Sequence, residues 1–185
     1  MALPSVAELR EYLRIETSVE DAMLDRLRVQ AVALVEAYIR QPIEAREITF
    51  NVEPTSAQRL TFPFTPIGGS VTVEDDDGDA VDLGDYTLNT ARGWVTFGAG
   101  VTVGPTYRVT ATVGLSLRAD YAAAVEPVMS AAITDTVGDF YQRRNPAASY
   151  ESAGGGVSVN YNESINKGLP SRVRTTLDPW KRVLV

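Results

Sequence analysis

A chain of 185 residues with 44% apolar side chains can build one domain, or one domain carrying an insertion, around a real core, and its composition argues against wholesale disorder. It contains no cysteine and no histidine, which excludes disulfides, zinc–thiolate sites and cysteine nucleophiles and removes the commonest general base and transition-metal ligand. The net charge of −7 is uneven, with 7 acids and 5 bases in residues 1–42, 10 and 4 in 43–114, and 7 and 8 in 115–185; such a chain lacks the basic patch that grips duplex DNA through its phosphates.

In chain order, residues 5–15 place Val6, Leu9, Tyr12 and Leu13 on one helical face. Ser5 is the expected N-cap, with Glu8 three residues later completing a capping box. Thr17 or Ser18 starts a second helix with Asp21 in its first turn, where the dipole favours an anion. Met23/Leu24, Leu27, Ala31, Leu34/Val35 and Tyr38 continue it to Arg40, ~35 Å at ~1.5 Å per residue, and Pro42 closes it.

From Ala45 to Gly114 the texture changes to short runs of period-two alternation broken by Gly, Pro and Asp. Strands are expected at Glu47–Val52, Arg59–Phe62, Ser70–Val73, Tyr86–Leu88, Trp94–Phe97 and Tyr107–Val113. Asp77-Gly78 marks a hairpin and Arg92-Gly93 a second turn. Tyr86, Trp94, Phe97 and Tyr107 read as core of this module. Helix resumes with Pro127 at its first position, and Val128/Met129, Ala132/Ile133, Thr136/Val137 and Phe140/Tyr141 form its stripe to Arg143-Arg144 before Asn145-Pro146 stops it. Residues 147–164, with Gly154-Gly155-Gly156, read as a loop. A short helix near 169–177 then leads into Asp178-Pro179 and an apolar terminus.

The expected fold class is therefore α+β: a small helical bundle of three long helices and a short C-terminal helix, with an inserted antiparallel β module of sandwich or barrel type. The helical domain takes 1–44 and 115–185, including a mobile loop at 145–164 and a tail at 178–185; the β module takes 45–114.

Function is constrained mainly by exclusion. Phosphate loop, dinucleotide fingerprint and serine elbow are all missing; Gly154-Gly155-Gly156 lacks the following helix and lysine of a phosphate loop. The chain is expected to be non-enzymatic, with no cofactor and no metal. Glu74, Asp75, Asp76, Asp77 and Asp79 offer oxygen ligands for a hard cation, but their spacing is not that of an EF-hand, and they read first as a solvated or lumen-facing hairpin tip. No apolar run approaches the ~18 residues that span a bilayer and no signal peptide opens the chain, so a soluble protein made in the cytoplasm, without membrane contact, is expected.

One resemblance runs along nearly the whole chain. The opening “AELREYLRI”, the helix “VEDAMLDRL” running to “EAYIRQPI”, “LTFPFTPIGGSVTVEDDDGDAVDL”, “YTLNTARGWVTF”, “YRVTATVG”, “EPVMSAAITDTVGDFYQRR” and the ending “LDPWKRVLV” resemble, in order and spacing, the head–tail connector (adaptor) proteins of long-tailed phages and gene transfer agents. The likeness is to the branch with a β insertion between helices two and three. The third helix departs from that pattern in being rich in Ala and Thr, with Gly138 inside it.

The resemblance implies a homo-oligomeric ring of roughly twelve copies in the virion neck. It would be docked on the portal protein, continued by a stopper or tail-terminator protein, and open to DNA that passes without specific binding. It implies assembly in the host cytoplasm. Leu177, Pro179, Trp180, Lys181, Arg182, Val183, Leu184 and Val185 are then the portal-binding candidates, against the alternative that Trp180 tucks onto its own bundle. Tyr141, Arg143, Arg144, Arg172 and Arg174 are the subunit-interface candidates, although Arg143-Arg144 also suit a helix C-terminus. Residues 145–164 and 178–185 are expected to order on assembly. Competing readings are a neck stopper, a β module recognising a host glycan or protein, and a carboxylate hydrolase built on the Asp cluster.

Overall fold

The computed structural model describes residues 3–54, 59–65, 67–81, 86–89, 92–97, 106–144 and 168–181. The described chain falls into two units, Met1–Ile39 with Glu126–Arg182, and Arg40–Val125.

The first unit is helical. α1 (Val6–Tyr12) opens on the capping box: Ser5 Oγ accepts from Glu8 N, and the Glu8 carboxylate accepts from Ser5 N at 2.7 Å. It is 7 residues long, shorter than the amphipathic stretch from 5 to 15. The stop is local: Arg14 takes a left-handed backbone with φ 56°, and Arg14 N and Ile15 N turn back onto Glu11 O and Arg10 O. A 3-10 turn (Ser18–Glu20) leads directly into α2 (Asp21–Ile39). α3 (Glu126–Arg144) starts one residue before the expected proline and follows a π-helical turn, Tyr121–Val125. Pro127, which has no N–H to donate, falls at the junction where the π-helical turn passes into the α-helix and the hydrogen-bond register changes. α4 (Ser171–Leu177) packs on α3 and α2. Leu9, Leu24, Val35, Ile39, Met129, Ile133, Val137, Val173 and Leu177 are buried and make the core of this unit.

The second unit holds β1 (Arg46–Val52), β2 (Arg59–Thr61), β3 (Ile67–Glu74), β4 (Tyr86–Asn89), β5 (Trp94–Phe97) and β6 (Tyr107–Val113). They form two antiparallel three-stranded sheets, β1-β6-β3 and β2-β5-β4. Alternation decides which side faces in: along β6, Tyr107, Val109, Ala111 and Val113 are buried while Arg108 is exposed. Leu60 and Val95 from one sheet share a core with Val52, Val73, Val109 and Ala111 from the other, so the sheets make a small sandwich. Phe50 packs edge-on against Phe62 and Phe64 in the same cluster.

Both expected turns are present. Gly78 and Gly93 have φ of 85° and 68°, conformations that glycine takes without steric cost. At Gly93 a Cβ would also collide with Thr65 and the Phe64 carbonyl. The segments just before β1 and just after β6 are tied to one another: Leu115 N donates to Pro42 O, Ser116 N to Ile43 O, and Ala45 N to Ser116 Oγ at 2.7 Å.

Tyr107 is buried in the sandwich as expected of a core aromatic, but Trp94 is half-exposed, with the Arg59 guanidinium 4.7 Å from its ring centre. The side chains of Tyr86 and Phe97 and the segment 145–164 lie outside the described residues.

Candidate functional site

The C-terminal segment is positioned by α4. Seven residues are too few to hold a helix in water, so α4 depends on the burial of Val173 and Leu177, one turn apart on its inner face. Thr175 and Thr176 bond back to the carbonyls of Ser171 and Arg172. The chain then tightens into a 3-10 turn, Asp178–Trp180, with Pro179 in its first turn.

Two contacts fasten this turn to α2. Tyr38 Oη donates to Asp178 Oδ1 at 2.5 Å, and Lys181 Nζ sits 4.7 Å above the Tyr38 ring. The hydrogen bond to Asp178 raises the Tyr38 pKa above the ordinary tyrosine value. Leu177 is thus buried in its own unit, Trp180 is half-buried, and Pro179 and Lys181 are exposed. Arg182, Val183, Leu184 and Val185 lie outside the described residues.

A second cluster links three helices. Asp135 on α3 accepts from Tyr12 Oη of α1 at 3.0 Å through Oδ1, and the same oxygen lies 3.3 Å from Arg172 Nη2 of α4. The bond to Asp135 and partial burial raise the Tyr12 pKa. Gly138, one turn further along α3, makes room for this ring: a Cβ there would stand 3.3 Å from Tyr12 Cε1. The glycine that interrupts the third helix therefore has a packing role.

The remaining interface candidates are engaged locally or exposed. Tyr141 Oη donates to Glu20 Oε2 at 2.6 Å. Arg143 Nη2 lies 2.6 Å from Asp139 Oδ2, one turn back on α3, as an ion pair rather than an aligned hydrogen bond. Arg174 is exposed on α4, and the side chain of Arg144 lies outside the described residues.

The acidic tip is organised by one of its own members. Asp75 Oδ1 accepts from Asp77 N at 3.1 Å and from Asp79 N at 2.9 Å, closing the turn, while Asp76, Asp77 and Asp79 are exposed. Glu74 reaches across the sheet to Arg108 at 3.6 Å. Among the described residues, no group of three or more acidic side chains could hold a metal ion. No helix among them is long and apolar enough to cross a membrane.

Sequence reasoning placed Tyr12 and Tyr38 on helical faces and Asp178 at a break, but named neither them nor Asp135 as site residues. The signal that points to Asp135 is a lone carboxylate bordering an otherwise apolar and small-residue helical stripe. Its partners lie 123 and 37 positions away and are set by the tertiary fold.

The family model described as head completion protein matches residues 2–183. Among solved structures, a chain in the neck of an empty GTA particle, computed with C6 symmetry, aligns with a TM-score of 0.65 and 19% identity, covering 100% of this chain and 94% of its own length. A chain from the virion of a native gene transfer agent particle gives 0.62 at 19% identity, and one from the neck of a native GTA particle computed with C12 symmetry gives 0.61 at 18%; both have the same coverage. No curated protein sequence matches. These structures share the fold end to end, and with a family match across almost its whole length the chain belongs to the head completion protein family.

Proposed function

We propose that this chain is a non-catalytic neck protein of a tailed phage or gene transfer agent, forming a ring that docks on the portal and links the DNA-filled head to the tail. The observation that carries the reading is the head completion family match over residues 2–183, joined by a full-length likeness to chains of GTA necks. The C12 and C6 symmetries of those particles are those a cyclic assembly would have.

In this reading the helical unit forms the annulus and the terminus from Leu177 to Val185 carries the portal contact. Leu177 anchors the start of the segment in the bundle, and Val183, Leu184 and Val185 supply apolar surface beyond it. Burying one such side chain contributes roughly 1.5–3 kcal/mol, so one tail binds weakly and a ring of tails binds durably. A net charge of −7 disfavours adhesion of DNA passing through the channel.

The test is to add the purified chain to portal-bearing heads that lack it and to image the vertex by electron cryomicroscopy. A closed ring of copies below the portal is expected. Heads with no added density at that vertex would overturn the reading.

A further inference from the structure

Charged side chains of the helical unit are largely paired within it: Arg10 with Asp21, Arg28 with Asp25, Arg143 with Asp139 and Arg172 with Asp135. Among the described residues, Arg14, Glu16 and Arg174 have no such side-chain partner, and neither do Arg26 on α2 and Glu11 on α1. Arg26 and Glu11 are both exposed, and among the described residues neither side chain has an ion pair or hydrogen bond.

Each belongs to an outward line. On α2, Ala22, Arg26, Val29 and Ala33 are all exposed, Val29 at 56%, and follow one another at spacings of four, three and four. They lie opposite the buried Leu24, Ala31 and Val35, the side on which α1, α3 and α4 pack. On α1, Ala7 and Glu11 stand one turn apart, opposite the buried Leu9.

Apolar residues three and four apart form the seam by which one helix packs on another. A cation within such a seam requires an anion facing it once water is excluded. The α2 line offers the seam with one cation, and the α1 line offers a short side chain with one anion. The two lines are different patches of the same unit, which is what a head-to-tail contact needs.

We propose that the outward face of α2 docks on the outward face of α1 of a second copy, with Arg26 against Glu11, and that this pairing is the contact repeated around the neck ring. The proposal rests on the ring reading above and specifies the partner surface for it.

The chain has no cysteine, so introduced thiols report this contact alone. Glu11→Cys with Arg26→Cys, treated with a short bismaleimide on portal-bearing heads, is expected to give a covalent ladder ending at the closed ring. Each single cysteine variant is expected to give none. Charge reversal is the second arm. Glu11→Arg and Arg26→Glu should each reduce the copies retained on heads about tenfold or more, and the double variant should recover them. Circular dichroism melting of all variants should match the parent, because both sites are exposed. A ring visible on heads without the paired-cysteine ladder would overturn the contact and leave the neck reading standing. A dimer from Arg26→Cys alone would overturn it in favour of an α2–α2 contact. Absence of any ring would sink both.

Discussion

Tyr38 and Asp178, 140 positions apart, are joined by a 2.5 Å hydrogen bond that ties the last described turn of the chain to the second helix. The terminal segment therefore starts from a fixed point: Leu177 is buried, Asp178 is held, and Lys181 covers the Tyr38 ring. A portal contact made beyond Lys181 would begin from an anchored base, which reduces the ordering cost of each tail.

Both tyrosine bonds predict an alkaline limit. The pKa values of Tyr12 and Tyr38 are raised above the ordinary 10.0, first by hydrogen bonds to Asp135 and Asp178. A folded-state pKa above the unfolded one gives stability that is complete below pH 10.0 and is lost as pH rises through the folded values. Denaturant midpoints measured across that range should fall for the parent. They should fall less for the Tyr12→Phe, Tyr38→Phe double variant, which has no phenol to ionise at either place.

Arg14 closes α1 with a left-handed backbone that an L side chain adopts at a cost of roughly 1–2 kcal/mol. Arg14→Gly should raise stability by about 1 kcal/mol or less, because glycine also loses more freedom on folding. Thermal unfolding checks this. A lower melting temperature would mean that the arginine side chain stabilises the fold in a way its backbone does not reveal.

Gly138 sets the distance between α1 and α3. Alanine there gains up to about 1 kcal/mol of helix propensity but brings a methyl to 3.3 Å from Tyr12 Cε1, so Gly138→Ala should be close to neutral. Gly138→Leu has no such room and should destabilise by roughly 1–3 kcal/mol while breaking the bond between Tyr12 and Asp135. Chemical denaturation gives the energies, and the Tyr12 ring resonances report the displacement.

Leu177→Ala removes a fully buried side chain whose loss costs about 2–5 kcal/mol in a well-packed core. Because α4 is a 7-residue helix held by packing, the expected outcome is local release. Hydrogen exchange of residues 168–181 should rise strongly while the amides of β6 stay protected.

Much of this fold was legible because its signals are local. Ser5 and Glu8 announce the first helix by side chain–backbone chemistry within four residues, and the structure contains that capping box. Alternation placed the strands, but it did not place Trp94, read as core: Val95 takes the inward side of that strand, and because successive residues face opposite ways Trp94 is left half-exposed. Asp77-Gly78 and Arg92-Gly93 mark turns through a backbone need that glycine meets. What was not legible is tertiary. The period of α1 runs on to Ile15, yet the turn at Arg14 ends the helix earlier. Asp135 looks like a surface carboxylate until Tyr12 and Arg172 arrive from two other helices. Gly138 reads as a flaw in the third helix until the Tyr12 ring is laid across it.

The central claim, that this chain completes the head as a neck component, is tested most directly by imaging particles made by a producer that lacks it. The account predicts DNA-packaged heads without attached tails, restored by supplying the chain in trans. Normal yields of tailed, infective or transducing particles in its absence would contradict it.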